Sequence, residues 1–271
     1  PGMMRAVMGY GATYEEARTM DIRGCYETGV RANEVSTGTA YINGAKAIEY
    51  VFSQGYDKKI GKQIGLKTPP VNEIKTFDEF YFLVLKQWDN LIEICLDLGN
   101  TFERYLSEIN PSLMYSATIE GSLKKGVDAY QCGVKYNNSS ILNCSFATLV
   151  DSVTTVYDLV YEKKICSLSE LKSALDANWS GYEELHHAAT HCSHKYGNGD
   201  ELADTYASAM SDYFCSKISN HPNARGGVYK IDMHSALQFR IQGEKTLATP
   251  DGRHDGDELS KNASPSVGMD I

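Results

Sequence analysis

The chain has 271 residues, 42% hydrophobic and 23% charged, an ordinary globular balance that is long enough for one large core or two modest ones. A net charge of -9, with no basic cluster, argues against nucleic acid as a partner. The longest apolar runs, such as Phe82 to Leu85, fall far short of the roughly 20 residues that span a bilayer, and Pro1-Gly2-Met3-Met4 has no signal-peptide pattern.

In chain order, Thr13 to Met20 reads as a short helix, with Thr13 as N-cap and Glu15 and Glu16 where the helix dipole favours negative charge. Gly24 to Tyr41 is rich in Gly, Thr, Ser and Asn and reads as a loop. Asn43 caps a helix through Phe52, with Ala45, Ile48, Val51 and Phe52 on one face, and Gly55 ends it. After a polar connection from Asp57 to Asn72, apolar residues recur every three or four positions from Phe77 to Ser107, which predicts a long helix stopped by Asn110-Pro111. Ser116 to Lys125 predicts a helix closed by Gly126, and Gly133 to Asn143 a loop or strand. Ala147 to Tyr161, Leu168 to Ala177 and Asp200 to Ser219 predict helices, the second entered through Ser167 with Glu170 at capping-box spacing. Gly226 to Ile231 predicts a strand, and Leu247 to Asp270 is turn-rich, with Pro250-Asp251-Gly252 as its clearest turn. The whole reads as a helix-rich α/β chain, which suits a barrel whose strands are covered by helices. Both ends look cut, so a partial chain is expected.

Seven cysteines (Cys25, Cys95, Cys132, Cys144, Cys166, Cys192 and Cys215) are scattered with no Cys-x-x-Cys pair. That favours a reducing cytoplasm and plain core cysteines over a disulfide framework or a zinc knuckle. Cys25 stands apart because Glu27 follows two residues later in a Gly-flanked loop. A carboxylate raises a neighbouring thiol's pKa, which disfavours a thiolate nucleophile unless Arg23 or Arg31 offsets it. A thiyl radical needs no ionisation. His186, His187, His191 and His194 have spacings that allow metal ligands on a helix face, but no acidic residue sits at a His-Glu-x-x-His position, and a solvated face is the expectation. Trp88 and Trp179 are expected to be core anchors, and Asp251-Gly252-Arg253 a turn with a structural ion pair.

Several ordered blocks carry a resemblance. Tyr14-Glu15-Glu16-Ala17-Arg18 before Gly24-Cys25-Tyr26-Glu27, then Asn43, Lys46 and Glu49, resemble the cysteine loop and following helix of glycyl radical enzymes. Gly133-Val134-Lys135-Tyr136-Asn137, Asp151-Ser152-Val153, Ala177 to Glu183, Lys195-Tyr196-Gly197-Asn198, Thr249 to Arg253 and Ser264 to Asp270 resemble later blocks of that family in the same order. The resemblance implies part of a ten-stranded α/β barrel over residues 1–271, a partial pyruvate formate-lyase-like domain without the C-terminal glycyl radical domain. It implies that Cys25 becomes the thiyl radical and that Glu27 is the general base of a lyase or dehydratase cleaving a C–O, C–N or C–S bond of a small polar substrate. A radical arylacetate decarboxylase and a non-catalytic interaction domain are the alternatives. Tyr26, where pyruvate formate-lyase has a second cysteine, disfavours acetyl transfer. Cys132 and Val134 stand where many relatives carry a Gly-Gly run. The resemblance further implies no metal and no directly bound cofactor. It implies a glycyl radical outside this chain installed by an S-adenosylmethionine activase, a homodimer at full length and a cytoplasmic location, with no nucleic acid or membrane partner.

Overall fold

In the computed structural model, which describes residues 2–24 and 27–266, seven short strands are interspersed among helices: β1 (Asp21–Arg23), β2 (Glu27–Gly29), β3 (Thr37–Asn43), β4 (Tyr56–Asp57), β5 (Lys62–Gln63), β6 (Ser139–Cys144) and β7 (Tyr229–Asp232). Among the described residues they form a three-stranded sheet in the order β3-β6-β7 and two antiparallel pairs, β1-β2 and β4-β5. β6 and β7 run parallel, with Ser139 opposite Tyr229 and Leu142 opposite Asp232. The β3 side begins with a parallel bridge between Glu34 and Tyr136. Among the described residues no helix is long and apolar enough to cross a membrane.

The chain divides into two compact units. The first comprises Pro1–Ala40, Ile94–Leu142 and Cys215–Asp232. Its apolar clusters are small: Val7, Ala12, Ala17 and Val30 in one, and Val35, Ile119, Ala129 and Val134 in another. Buried polar bonds supplement them. Glu103 accepts hydrogen bonds from Thr39 Oγ1 (2.6 Å) and Ser139 Oγ (2.6 Å) and pairs with Arg225 Nε at 3.3 Å. Arg225 also donates to Asn138 O and Thr37 Oγ1, so this one ion pair ties the starts of β3 and β6 to the helix Phe77–Ile109. The predicted Ser116–Lys125 helix is two, Leu113–Thr118 and Glu120–Lys125, because Ile119 adopts an extended conformation between them; Gly126 closes the second at φ 65° as expected.

The second unit comprises Tyr41–Glu93, Asn143–Phe214 and Met233–Ile271. Two of its helices are covered on every side. All eight residues of Ala45–Phe52 and all eleven of Phe146–Val156 are buried. The one-faced pattern read for Ala45–Phe52 therefore understates its burial, and Lys46 and Glu49 are enclosed as an ion pair. Trp88 is fully buried and stacks on Phe214 with ring centres 5.1 Å apart, and Trp179 is buried as well, so both are core anchors. The predicted Ala147–Tyr161 helix changes character at Tyr157, where a π-helical turn, Tyr157–Glu162, replaces the α-helix. The capping box at Ser167 and Glu170 forms as the sequence indicates.

Candidate active site

The Gly24–Tyr41 segment, expected to be a loop, holds most of β3 and, before it, the second strand of a hairpin, β1-β2. The hairpin strands are three residues long and polar, too short to show a two-residue period; backbone pairing of Asp21 with Gly29 and Arg23 with Glu27 defines them instead. The Gly24-Cys25-Tyr26 segment joins the paired residues Arg23 and Glu27, and the candidate residue Cys25, with Tyr26, lies outside the described residues. Glu27, the second candidate, opens β2 and is half-buried.

Gly24 turns at φ 56°, a left-handed conformation that glycine adopts without penalty. The Glu27 carboxylate lies directly over it: a Cβ at position 24 would stand 2.5 Å from Glu27 Oε2. Gly24→Ala is therefore expected to displace the Glu27 carboxylate and to cost roughly 1–2 kcal/mol of backbone strain, measured as a lower urea midpoint.

The hairpin is fixed from both sides. Arg23 donates from Nε to Asp21 Oδ1 (2.8 Å) and from its terminal nitrogens to Glu34 O (2.5 Å) and Val30 O (2.6 Å). The cation nearest Cys25 in sequence is thus engaged by a carboxylate and two carbonyls. Buried Glu34 accepts from Val30 N (2.8 Å), Asn138 Nδ2 (3.0 Å) and Lys230 Nζ (3.0 Å), and Lys230 also donates to Thr28 O (2.6 Å). Glu34 and Lys230 thereby anchor β2 to residues of β7 and the segment before β6. Neither stood out in the sequence, since a lone Glu and a lone Lys 196 positions apart carry no local pattern.

Two further blocks meet beside this hairpin. The helix Tyr14–Arg18 starts in a capping box between Thr13 and Glu16. Glu16 also takes Lys135 Nζ at 2.7 Å and Tyr136 Oη at 2.8 Å. Hydrogen bonds from Lys135, the Thr13 backbone and Tyr136 hold the Glu16 carboxyl down at about 2. Tyr136 is thus a bracing residue here.

In the second unit the structure gathers three more blocks. Asp151 Oδ1 accepts from Tyr196 N (2.8 Å), Thr249 Oγ1 donates to Asp251 Oδ1 (2.6 Å), and buried Lys195 donates to Asp251 O (3.2 Å) and Thr155 Oγ1 (3.3 Å). Burial pushes the Asp151 carboxyl up to about 7, against the lowering effects of Lys195 and the Tyr196 amide. A carboxyl raised in the folded state holds its proton there while the unfolded chain releases it, so it erodes stability as pH rises from about 4 to about 7, by up to about 1.4 kcal/mol per pH unit. Asp151→Asn should remove this slope: the stability difference between variant and wild type is expected to rise in the variant's favour over that window and level off above it, as read from urea unfolding at a series of pH values. Arg253 is satisfied by carbonyls: it donates to Leu247 O (2.7 Å), Gly243 O (3.0 Å), Thr246 O (3.0 Å) and Asp257 O (3.1 Å), and so holds the turn-rich segment together.

Of the histidines, His187 and His191 are exposed, on and just after the helix Glu183–Thr190, as expected for a solvated face. His186 bonds Gly252 O at 2.7 Å, and His194 lies beyond that helix between Glu162 and Asp200. Among the described thiols, burial pushes Cys95, Cys166 and Cys192 up to about 11 and Cys144 up to about 12, which removes them as thiolate nucleophiles.

The mixed α/β arrangement is that of glycyl radical enzymes. It is similar to the B12-independent glycerol dehydratase from Clostridium butyricum, at a TM-score of 0.89 and 28% identity over 97% of this chain and 33% of that one. It is similar to a glycyl radical enzyme from Archaeoglobus fulgidus as well, at a TM-score of 0.88 and 27% identity over 97% of this chain and 34% of that one. Residues 2–238 match the pyruvate formate lyase-like family, and the chain belongs to it. In sequence it is 30% identical to the trans-4-hydroxy-L-proline dehydratase of Clostridioides difficile over 268 residues, 99% of this chain and 34% of that protein. The chain therefore spans about a third of the length of the curated relatives it matches.

Proposed function

We propose that this chain supplies the hydrogen-abstracting loop of a glycyl radical lyase of the dehydratase type, with Cys25 as the thiyl residue and Glu27 as the general base. The observation that carries this reading is the charge environment of the hairpin. Arg23 is held by Asp21 and two carbonyls, while the Glu27 carboxylate lies over Gly24, immediately before Cys25. A thiolate so close in sequence to that carboxylate, with Arg23 occupied, would be disfavoured by repulsion; a thiyl radical carries no charge and avoids it.

A glycyl radical, installed by an activase that uses S-adenosylmethionine and an iron–sulfur cluster, would supply the oxidising equivalent, with the Cys25 thiol as the hydrogen donor to it. Cys25 then takes a hydrogen atom from a substrate carbon that bears a hydroxyl. The hydroxyl of the resulting carbon radical is more acidic, and Glu27 accepts its proton. The neighbouring C–O, C–N or C–S bond breaks with its electron pair going to the leaving group. The product radical recovers a hydrogen atom from the Cys25 thiol, which regenerates the thiyl. Tyr26 in place of a second cysteine leaves no acceptor for an acetyl group. On this reading the strands belong to a ten-stranded barrel that the complete protein closes, residues 1–271 are part of that domain, and the complete protein is a cytoplasmic homodimer whose radical chemistry uses no metal.

The test is anaerobic activation of the complete protein, followed by incubation with glycerol, propane-1,2-diol, choline, hydroxyproline, isethionate and an arylacetate. Elimination from one of the polar substrates supports the proposal. Decarboxylation of the arylacetate alone would transfer the chain to the decarboxylase reading, and a fully activated protein inert toward all of them would favour the non-catalytic one.

A further inference from the structure

We propose that the second unit carries a divalent-cation site formed by Asp158, Glu162 and His194. One ligand atom from each lies within 4.8 Å of the others. The π-helical turn Tyr157–Glu162, closed by Lys163 N to Asp158 O at 2.8 Å, carries both carboxylates, and such turns recur where a helix is reshaped for function. His194 Nε2 stands 3.3 Å from Glu162 Oε2. Two ligands about 2.1 Å from a shared ion stand roughly 3.0–3.4 Å apart, so this edge already has the required length.

Two features separate the cluster from an ordinary group of surface acids. Asp158 is fully buried, and its Oδ1 has no hydrogen-bond partner, whereas its Oδ2 is taken by Lys163 Nζ at 2.8 Å. A buried carboxylate oxygen left without a donor is costly, and a cation satisfies it. His194 is also held as a ligating histidine is held: its Nδ1 lies 3.0 Å from Asp200 Oδ2, which directs Nε2 toward Glu162, and Thr154 Oγ1 fixes its backbone carbonyl at 2.7 Å. The three carboxylates of Asp158, Glu162 and Asp200 outnumber the one ammonium of Lys163, and a metal that takes His194 Nε2 displaces any proton there. Carboxylate and imidazole donors suit manganese or zinc.

Manganese is the probe of choice because it has little affinity for the cysteines of this chain. Titration of the full chain with Mn²⁺ at about pH 8, where protons compete less for the imidazole, is followed by the electron paramagnetic resonance of the free ion. The expected result is one saturable site per chain, with nitrogen coupling on the bound ion that disappears in His194→Ala. Glu162→Gln, at an exposed position where folding is not at stake, should weaken binding by at least about tenfold, and Asp200→Asn by about 10- to 100-fold. No saturable binding below about 1 mM, no nitrogen coupling on the bound ion, or wild-type affinity in Glu162→Gln would overturn the proposal.

Discussion

Lys46→Met is expected to destabilise the second unit by about 3–5 kcal/mol, the scale for removing one partner of a buried ion pair. Lys46 Nζ lies 2.8 Å from Glu49 Oε1 and 2.9 Å from Asp57 Oδ2, and all three side chains are at most 8% exposed. The variant keeps the volume of the stem but strands two carboxylates in the interior. Their remaining partners are the Leu247 amide on Glu49, and the Ile60 amide and Tyr50 hydroxyl on Asp57. Burial already raises the Glu49 carboxyl above its ordinary value; on Asp57, burial is outweighed by the bonds from Lys46, Ile60 and Tyr50, which hold it below. Without Lys46 both shift upward. The penalty should thus be largest at alkaline pH and shrink as pH falls and the stranded groups take up protons. Thermal and urea unfolding at several pH values measure this, with a loss of about 2–4 °C per kcal/mol at this size. Adding Glu49→Gln and Asp57→Asn to the variant should restore much of the loss; a Lys46→Met protein as stable as wild type would mean that the three charges are solvated.

The blocks that marked this chain as a family member are the ones the fold puts to structural use. Lys46 and Glu49 pair with each other, Tyr136 and Lys135 brace Glu16, and Asp151, Lys195 and Asp251 share one buried cluster. Their order in the sequence was legible, but their contacts were not, because each joins residues from distant blocks. Helix ends with a local chemical signal were readable: the Thr13 N-cap, the Ser167 capping box, the Gly126 close and the stop before Asn110-Pro111. Features set by tertiary contact were not. β1 and β2 are polar and three residues long, β3 reads as a Thr- and Gly-rich loop, and the π-turn at Tyr157 leaves the apolar spacing unchanged. The site followed the same rule. The Cys25-x-Glu27 spacing is local and was visible, whereas the Arg23, Glu34 and Lys230 bonds that hold the hairpin appear only in three dimensions.

Glu27→Gln, in the activated complete protein, is expected to lower elimination by about 100- to 10,000-fold, the range for loss of a general base. The amide keeps the shape of the side chain over Gly24 but cannot accept the substrate's hydroxyl proton. Hydrogen abstraction does not need that proton transfer. Solvent deuterium should therefore still enter the substrate through the exchangeable Cys25 thiol, even though product formation is slow. A variant that lost exchange and elimination equally would mean that Glu27 supports the radical step or the loop rather than the proton transfer.

Cys25→Ser tests the account most directly, because serine preserves size and polarity and removes only the weak S–H bond that radical transfer requires. In the anaerobically activated complete protein, the glycyl radical signal should form at wild-type intensity while turnover of the substrate, and deuterium exchange into it, are absent. Turnover at the wild-type rate in Cys25→Ser would contradict the assignment of the hydrogen-abstracting residue.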